Sequence, residues 1–257
     1  VLVGAVILGI MMVVSPAILQ PFTRKITGTD DLSLGHLGST GYLRSAWVGK
    51  VVGKGSPSIE ELKVQKSLNF LRDSSVAISL TMMILFVILV LVAGKTFVET
   101  SVSGGQNFII FAIIQSLTFA AGVWIILAGV RMIIAEIVPA FKGIADKLVK
   151  DAKPALDCPT VFPFAPNAVI VGFLSSFAAG LVSMFLCPLF GLSVIVPGLV
   201  PHFFCGATAG VYGNICGGRR GAIIGAFAQG LLISFLPAIL LPLMGDLGFA
   251  STTFGDA

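Results

Sequence analysis

Long apolar runs separated by short polar stretches dominate the chain. A helix rises about 1.5 Å per residue, so about 20 apolar residues cross the roughly 30 Å hydrocarbon core of a bilayer. The runs Val1–Leu19, Ser74–Ala93, Phe108–Ile134, Ala168–Cys187 and Ala222–Met244 reach that length and predict spanning helices. A weaker run, Leu189–Tyr212, is broken by Pro197, Pro201 and several glycines, and reads as a bent span or a re-entrant hairpin. Backbone that leaves the helix at membrane depth must be buried in protein or line a wet cavity, because lipid offers its N–H and C=O groups no partners. Pro139–Lys150 has a different pattern. Val138, Phe141, Ile144, Ala145, Leu148 and Val149 recur at helical spacing, while Lys142, Asp146 and Lys150 step by four on the other face. That stretch is too short and too charged to span, and predicts an amphipathic helix along the cytoplasmic interface. The expected fold class is an all-α polytopic membrane protein with five or six spanning helices, re-entrant hairpin segments and one interfacial helix. Val1 lies inside an apolar run with no Met before it, so the chain is expected to be a fragment of a longer membrane protein. No repeat is visible within it, and an inverted repeat with an upstream part is the expected organisation.

Composition narrows the class further. Of 257 residues, 56% are hydrophobic and 11% charged, against roughly 25% charged in soluble domains. Mean hydropathy is +1.02. An ordinary soluble enzyme, a disordered chain and a nucleic-acid binder are excluded. The pI near 9.0 reflects loop lysines and arginines, which set membrane orientation. Arg24, Lys25, Arg44, Lys50, Lys54, Lys63, Lys66 and Arg72 lie between Gln20 and Asp73. Lys142, Lys147, Lys150 and Lys153 follow the third span, and Arg219 and Arg220 precede the last one. Gly94–Asn107 holds only Lys95, and the stretch after Met244 holds no basic residue. The three basic loops are therefore expected on the cytoplasmic side of the inner membrane, and Gly94–Asn107 and the tail outside, provided the sixth run crosses. The four cysteines show no CxxC spacing, which gives neither a disulfide framework nor a zinc site.

Polar residues that cannot easily reach water carry the chemistry of a membrane-embedded chain. In Asp30–Tyr42, DDLSLGHLGSTGY, Gly35, Gly38 and Gly41 recur every three residues around His36. Two readings are open: a bent polar hairpin whose imidazole and backbone meet a polar ligand, or a loop with a solvated or packed His. In Leu156–Ala168, LDCPTVFPFAPNA, Pro159, Pro163 and Pro166 forbid regular helix and favour extended residues before them. Asp157 stands just before this break, either as a carboxylate for ligand hydroxyls or as a loop carboxylate that is solvated or caps a helix start. Asn167 is read as the N-cap of the following span. His202, Cys187, Cys205 and Cys216 are read as packing residues, and Gln115, Thr208 and Gln229 as inter-helix hydrogen-bonding groups. Arg131 and Glu136 do not face each other on a helix and are read as snorkelling to the interface. No metal is expected, since nothing like HExxH is present.

The stretches DDLSLGHLGSTGYLRSAWVGK, GVRMIIAEIVPAFKGIADKLV, LDCPTVFPFAPNAVIVGF and IVPGLVPHFFCGATAGVYGN resemble the membrane component, enzyme IIC, of the ascorbate-type phosphoenolpyruvate-dependent sugar phosphotransferase system. The resemblance runs over the whole chain, which would be the C-terminal half or more of a family member, with residues 1–257 forming one unit of interleaved core and scaffold elements. It implies a homodimeric bacterial inner-membrane transporter, in contact with lipid, that takes up L-ascorbate by an elevator motion. A partner IIB subunit phosphorylates the sugar, so the chain itself is a transport component rather than an enzyme and needs no cofactor. In the family's Gly-His-Gln pattern, His and Gln touch the substrate. Gly35 and His36 match, while Leu37 stands in the place of Gln and offers only its backbone, which widens the expected substrate to a related sugar acid or polyol. The family's Asp-Cys pair matches Asp157 and Cys158. The alternative is an ion- or proton-coupled secondary transporter in which His36 and Asp157 titrate. An intramembrane enzyme would need a nucleophile–base or metal pattern, which the sequence lacks.

Overall fold

A computed structural model describes residues 2–62 and 74–248. Val1, Lys63, Lys66 and Arg72 from the expectations above lie outside the described residues. The main elements are α1 (Leu2–Thr27), β1 (Ser33–Leu34), α2 (Ser39–Val52), α3 (Ser74–Ala93), α4 (Phe108–Lys147), β2 (Ala155–Leu156), α5 (Pro166–Leu189) and α6 (Leu199–Asp246). The protein is a helical, multi-pass membrane protein: α1, α3, α4, α5 and α6 are each long and apolar enough to cross a bilayer. Contacts divide the chain into two compact units, residues 1–62 with 132–257, and residues 63–131.

The second unit is built on the apolar α3 and the start of α4. Val90, Val98 and Ala112 form its buried cluster, with Phe86 and Phe108 packed against it. Asn107 begins α4 by accepting from the N–H groups of Ile109 and Ile110, at 3.0 and 3.3 Å, a side-chain cap of the usual kind.

Three sequence expectations are corrected here. The separate interfacial helix over Pro139–Lys150 does not exist as such. It continues the preceding span in the single 40-residue α4: Pro139 removes one donor from the ladder, and neither it nor Gly143 four residues later ends the helix. Asn167 is not the N-cap of α5. Pro166 starts that helix, Ala165 precedes it, and the first-turn N–H groups of Asn167 and Ala168 are taken by the Glu60 carboxylate at 3.2 and 2.8 Å. The proline-rich stretch is also more regular than expected: Cys158–Phe164 winds as a 3₁₀ helix with Pro159 in its first turn, and of the three residues that precede a proline only Ala165, before Pro166, leaves helical geometry (φ −150°, ψ 65°).

The first unit is organised by a hairpin inside α6. Gly217 (φ −145°, ψ 19°) and Gly218 (φ 54°, ψ −147°) leave helical geometry. The positive φ of Gly218 costs an L side chain but not glycine. A Cβ on Gly213 would overlap the carbonyl oxygen of Gly221, although eight residues of straight helix would hold them about 12 Å apart. The chain therefore reverses at Gly217–Gly218. The weak run Leu189–Tyr212 is thus partly the end of α5 and partly the rising arm of this hairpin, and Ala222–Met244 is the return arm. The re-entrant turn lies later in the chain than the proline pattern suggests.

α2 packs along both arms through small residues four apart. Ser45 Oγ donates to the carbonyl of Ala209 at 2.5 Å. A Cβ on Gly49 would lie 2.6 Å from the carbonyl oxygen of Gly213, and one on Gly53 would overlap that of Gly217. Without apolar solvation to drive helices together in lipid, such close backbone approach supplies the packing. α5 closes the other side of the hairpin: a Cβ on Gly172 would come 2.7 Å from the carbonyl oxygen of Gly206.

Candidate functional site

Two broken segments of the first unit meet as a parallel pair of two-residue strands. Ser33 pairs with Ala155 and Leu34 with Leu156, locked by Ser33 N–H to Pro154 O and Gly35 N–H to Leu156 O, both 2.9 Å. A Cβ at Gly35 would come 2.7 Å from the Ala155 Cβ, so the close pairing requires glycine there. Each strand then breaks into a helix, and the residues at the two breaks are His36 and Asp157. Their side chains meet, Nε2 to Oδ1, at 3.3 Å.

The other face of the imidazole is also held. His36 Nδ1 accepts from the Gly38 N–H at 3.0 Å and lies 2.9 Å from the Tyr42 hydroxyl. An acceptor Nδ1 places the ring proton on Nε2, aimed at Asp157. Tyr42 stacks on His36 with ring centroids 5.6 Å apart and on Tyr212 at 5.8 Å, and the Tyr212 hydroxyl is 2.7 Å from Thr23 Oγ1. Ser39 Oγ donates to the His36 carbonyl at 2.5 Å. The His36 side chain is 14% exposed and that of Asp157 69%, so the carboxylate is the open face of the pair.

Asp157 also caps the 3₁₀ helix, accepting from the Cys158 N–H at 2.7 Å. The cap reading of this residue is met by that bond, while the same carboxylate faces His36. Beneath it, burial and then the Asp157 charge push the Cys158 thiol well above its ordinary value. The donor atoms of His36, Asp157 and Cys158 lie within 4.8 Å of one another. Leu37 is 45% exposed beside His36 and carries no polar atom.

Charges brace the approach to the ribbon. Lys153 Nζ is 2.5 Å from Asp30 Oδ2, Gln20 Nε2 donates to Asp30 Oδ1 at 2.8 Å, and Lys142 pairs with Asp31 at 3.5 Å. The Lys153 hydrogen bond, followed by that of Gln20, holds the Asp30 carboxyl below its ordinary value. These exposed pairs join the segment before β1 to the segment before β2.

The structure brings His36, Leu37 and Asp157 to one place. His202 is a packing residue elsewhere in the unit: it is 1% exposed, 2.8 Å from Ser176 Oγ and edge-on to Phe177. Gln229 is fully buried against Gly41. Sequence reasoning did not single out Tyr42 or Glu60. The spacing of Tyr42 six residues after His36, across a glycine-rich turn into a helix, was the available signal for the first. Nothing local marks the second.

Residues 1–257 match the family described as EIIC-GAT, PTS system sugar-specific permease component. A protein of Mycoplasma pneumoniae, the "Ascorbate-specific PTS system EIIC component", is 28% identical over 270 aligned positions, which cover 91% of this chain and 40% of that relative. The chain therefore spans about two-fifths of the length of the curated relative it matches.

Proposed function

The chain belongs to the EIIC-GAT family of phosphotransferase-system sugar-specific permease components, and from that premise we propose that it forms part of a permease for L-ascorbate or a related sugar acid or polyol. A partner IIB subunit on the cytoplasmic face phosphorylates the sugar, and the permease works as a homodimer in the inner membrane by an elevator motion. The chain itself moves the sugar and does no phosphoryl transfer.

The observation that carries this reading is the His36–Asp157 pair at 3.3 Å, set in register by the β1–β2 ribbon. Such a pair offers a fixed N–H donor and a carboxylate acceptor a few ångströms apart, matched to neighbouring hydroxyls on a sugar. A buried hydroxyl without a partner loses about 1–3 kcal/mol, so the hydroxyl pattern selects the ligand. Leu37 supplies only backbone. L-Ascorbate binding to the full-length protein tests the assignment, with pentitols and hexitols as competitors. His36→Ala and Asp157→Ala are each expected to weaken binding more than tenfold, about 1.4 kcal/mol. Unchanged affinity in both folded variants would overturn it.

The Tyr42–His36–Asp157 chain also supports a second reading, a proton-coupled carrier. Uptake into vesicles of the purified full-length protein, driven by a pH gradient alone, decides for it. Dependence on IIB decides for the first.

A further inference from the structure

At the far end of α2 from His36, the tip of the α6 hairpin and the loop after α2 form an open cavity of about 350 Å³ lined by Lys50, Lys54, Ser56, Asn214 and Gly218 among others. Ser39 to Lys50 is eleven helical residues, about 16 Å, so this cavity is separate from the His36–Asp157 pair. We propose that it binds a phosphate group.

Charge is the first argument. Among the described residues two lysines line the cavity and no carboxylate does. Arg219 and Arg220 follow directly after the lining glycines, and Lys25, from α1, is close enough to Cys216 in the wall to act on it electrostatically. Lys50 and Lys54 line the cavity itself, while the others stand near it at the end of α1 and in the hairpin turn. Convergence of this kind concentrates positive potential in a single concavity, and a multiply charged oxyanion answers it better than a single carboxylate does. Lysine serves as a point-charge partner for phosphate, and arginine as a forked donor.

Rigidity is the second argument. The loop after α2 is fastened to the hairpin before any ligand arrives. Arg219 N–H donates to the Pro57 carbonyl at 2.9 Å, and Arg220 N–H to Ser56 Oγ at 3.3 Å. Asn214 Oδ1 accepts from the Ile59 N–H at 2.9 Å, while its Nδ2 donates to Ser58 Oγ at 3.0 Å. Gly218 admits no Cβ, which would overlap the carbonyl oxygens of Ser56 and Pro57. A preorganised wall spares the ordering entropy of binding. Phosphate reaches such a cavity either as a soluble ester or as a lipid headgroup, and the chemistry that recognises the two is shared.

The test uses the full-length protein in nanodiscs of phosphatidylcholine. Inorganic phosphate and glycerol 3-phosphate are titrated while the thermal midpoint and the heat of binding are followed. A second preparation contains phosphatidylglycerol. Saturable, salt-sensitive stabilisation is expected in at least one arm, weakened at least tenfold in K50Q/K54Q and unchanged in K95Q. Both lysines of the double variant are exposed, so it should fold, and its unliganded midpoint and unchanged L-ascorbate affinity check that. Stabilisation by the soluble phosphates supports a free ester as the ligand. Stabilisation by phosphatidylglycerol alone supports a headgroup. No effect in either arm, or an effect that survives in K50Q/K54Q, overturns the proposal without touching the His36–Asp157 reading.

Discussion

The two nitrogens of His36 face different tasks. Nδ1 is occupied by the Gly38 amide and the Tyr42 hydroxyl, which leaves the Nε2 proton for Asp157 or for a ligand that comes between them. A Cβ on Gly38 would lie 2.9 Å from the Tyr42 hydroxyl oxygen and 3.0 Å from Nδ1, so this glycine keeps the arrangement open. Next to it, Leu37 is 45% exposed and offers no side-chain donor or acceptor to the ligand proposed for this site. Leu37→Gln in the full-length protein restores one donor and one acceptor at that position. One added neutral hydrogen bond contributes about 0.5–1.5 kcal/mol, so L-ascorbate is expected to bind about two- to tenfold more tightly, measured by isothermal titration. An unchanged constant would mean that the side chain at position 37 points away from the ligand. At this scale the residues of the candidate site were readable from sequence. His36 and Asp157 stand out because each is a polar group beside a backbone break in a chain that otherwise avoids charge. Their contact was not readable, because it depends on a two-residue strand register between positions more than a hundred residues apart in sequence.

Helix packing in the first unit depends on residues with almost no side chain. Gly41, Ser45, Gly49 and Gly53 step by four along α2, and Gly213, Gly217, Gly221 and Gly225 step by four through the α6 turn. That spacing is plain in the sequence, yet one ladder reads as a polar loop and the other as the gap between two apolar runs. Only the hairpin turn reveals that they face each other. Gly53→Ala is expected to abolish stable folding of the detergent-solubilised full-length protein, because backbone atoms stand where the methyl group would go. Gly129→Ala in α4, where nothing lies within 4 Å, should leave the thermal midpoint unchanged or slightly raised. Equal midpoints for the two variants would contradict the packing described for α2. The start of α5 makes a different demand. Glu60 caps it from a distance, and burial, outweighing the two N–H bonds, raises its carboxyl above the ordinary value. A carboxyl raised in the folded state binds more protons there than in the unfolded chain, so stability falls as pH rises from the ordinary carboxylate range through the raised value. Glu60→Gln is expected to flatten that part of the pH profile of the thermal midpoint. Glu60→Ala, which leaves two helix N–H groups without a partner, should cost about 1–2 kcal/mol at neutral pH.

Orientation ties these elements into one molecule. α2 is 14 residues long, about 21 Å, with the His36–Asp157 pair before its start and the basic hairpin tip at its end. Lys50, Lys54, Arg219 and Arg220 gather at that tip, and loop cations of this kind mark the cytoplasmic side. If the tip lies at the cytoplasmic rim, the imidazole–carboxylate pair lies about 20 Å inward, near the middle of a bilayer roughly 30 Å thick in its hydrocarbon core. α5 begins at Pro166 and ends at Leu189, long enough to cross, so the turn that follows should lie on the opposite face. Cysteine labelling of the full-length protein in oriented vesicles decides the matter. Cys158, Cys187 and Cys205 are buried, so replacing Cys216 with Ser removes the more accessible background thiol of the described residues. Lys54→Cys should then react with a membrane-impermeant maleimide only from the cytoplasmic side, and Phe190→Cys, at a position 68% exposed, only from the outside. Labelling of both from one side would mean that α5 does not cross, and would place the His36–Asp157 pair at a surface, where water competes for every hydrogen bond a sugar could make and the selection argued for it would be lost.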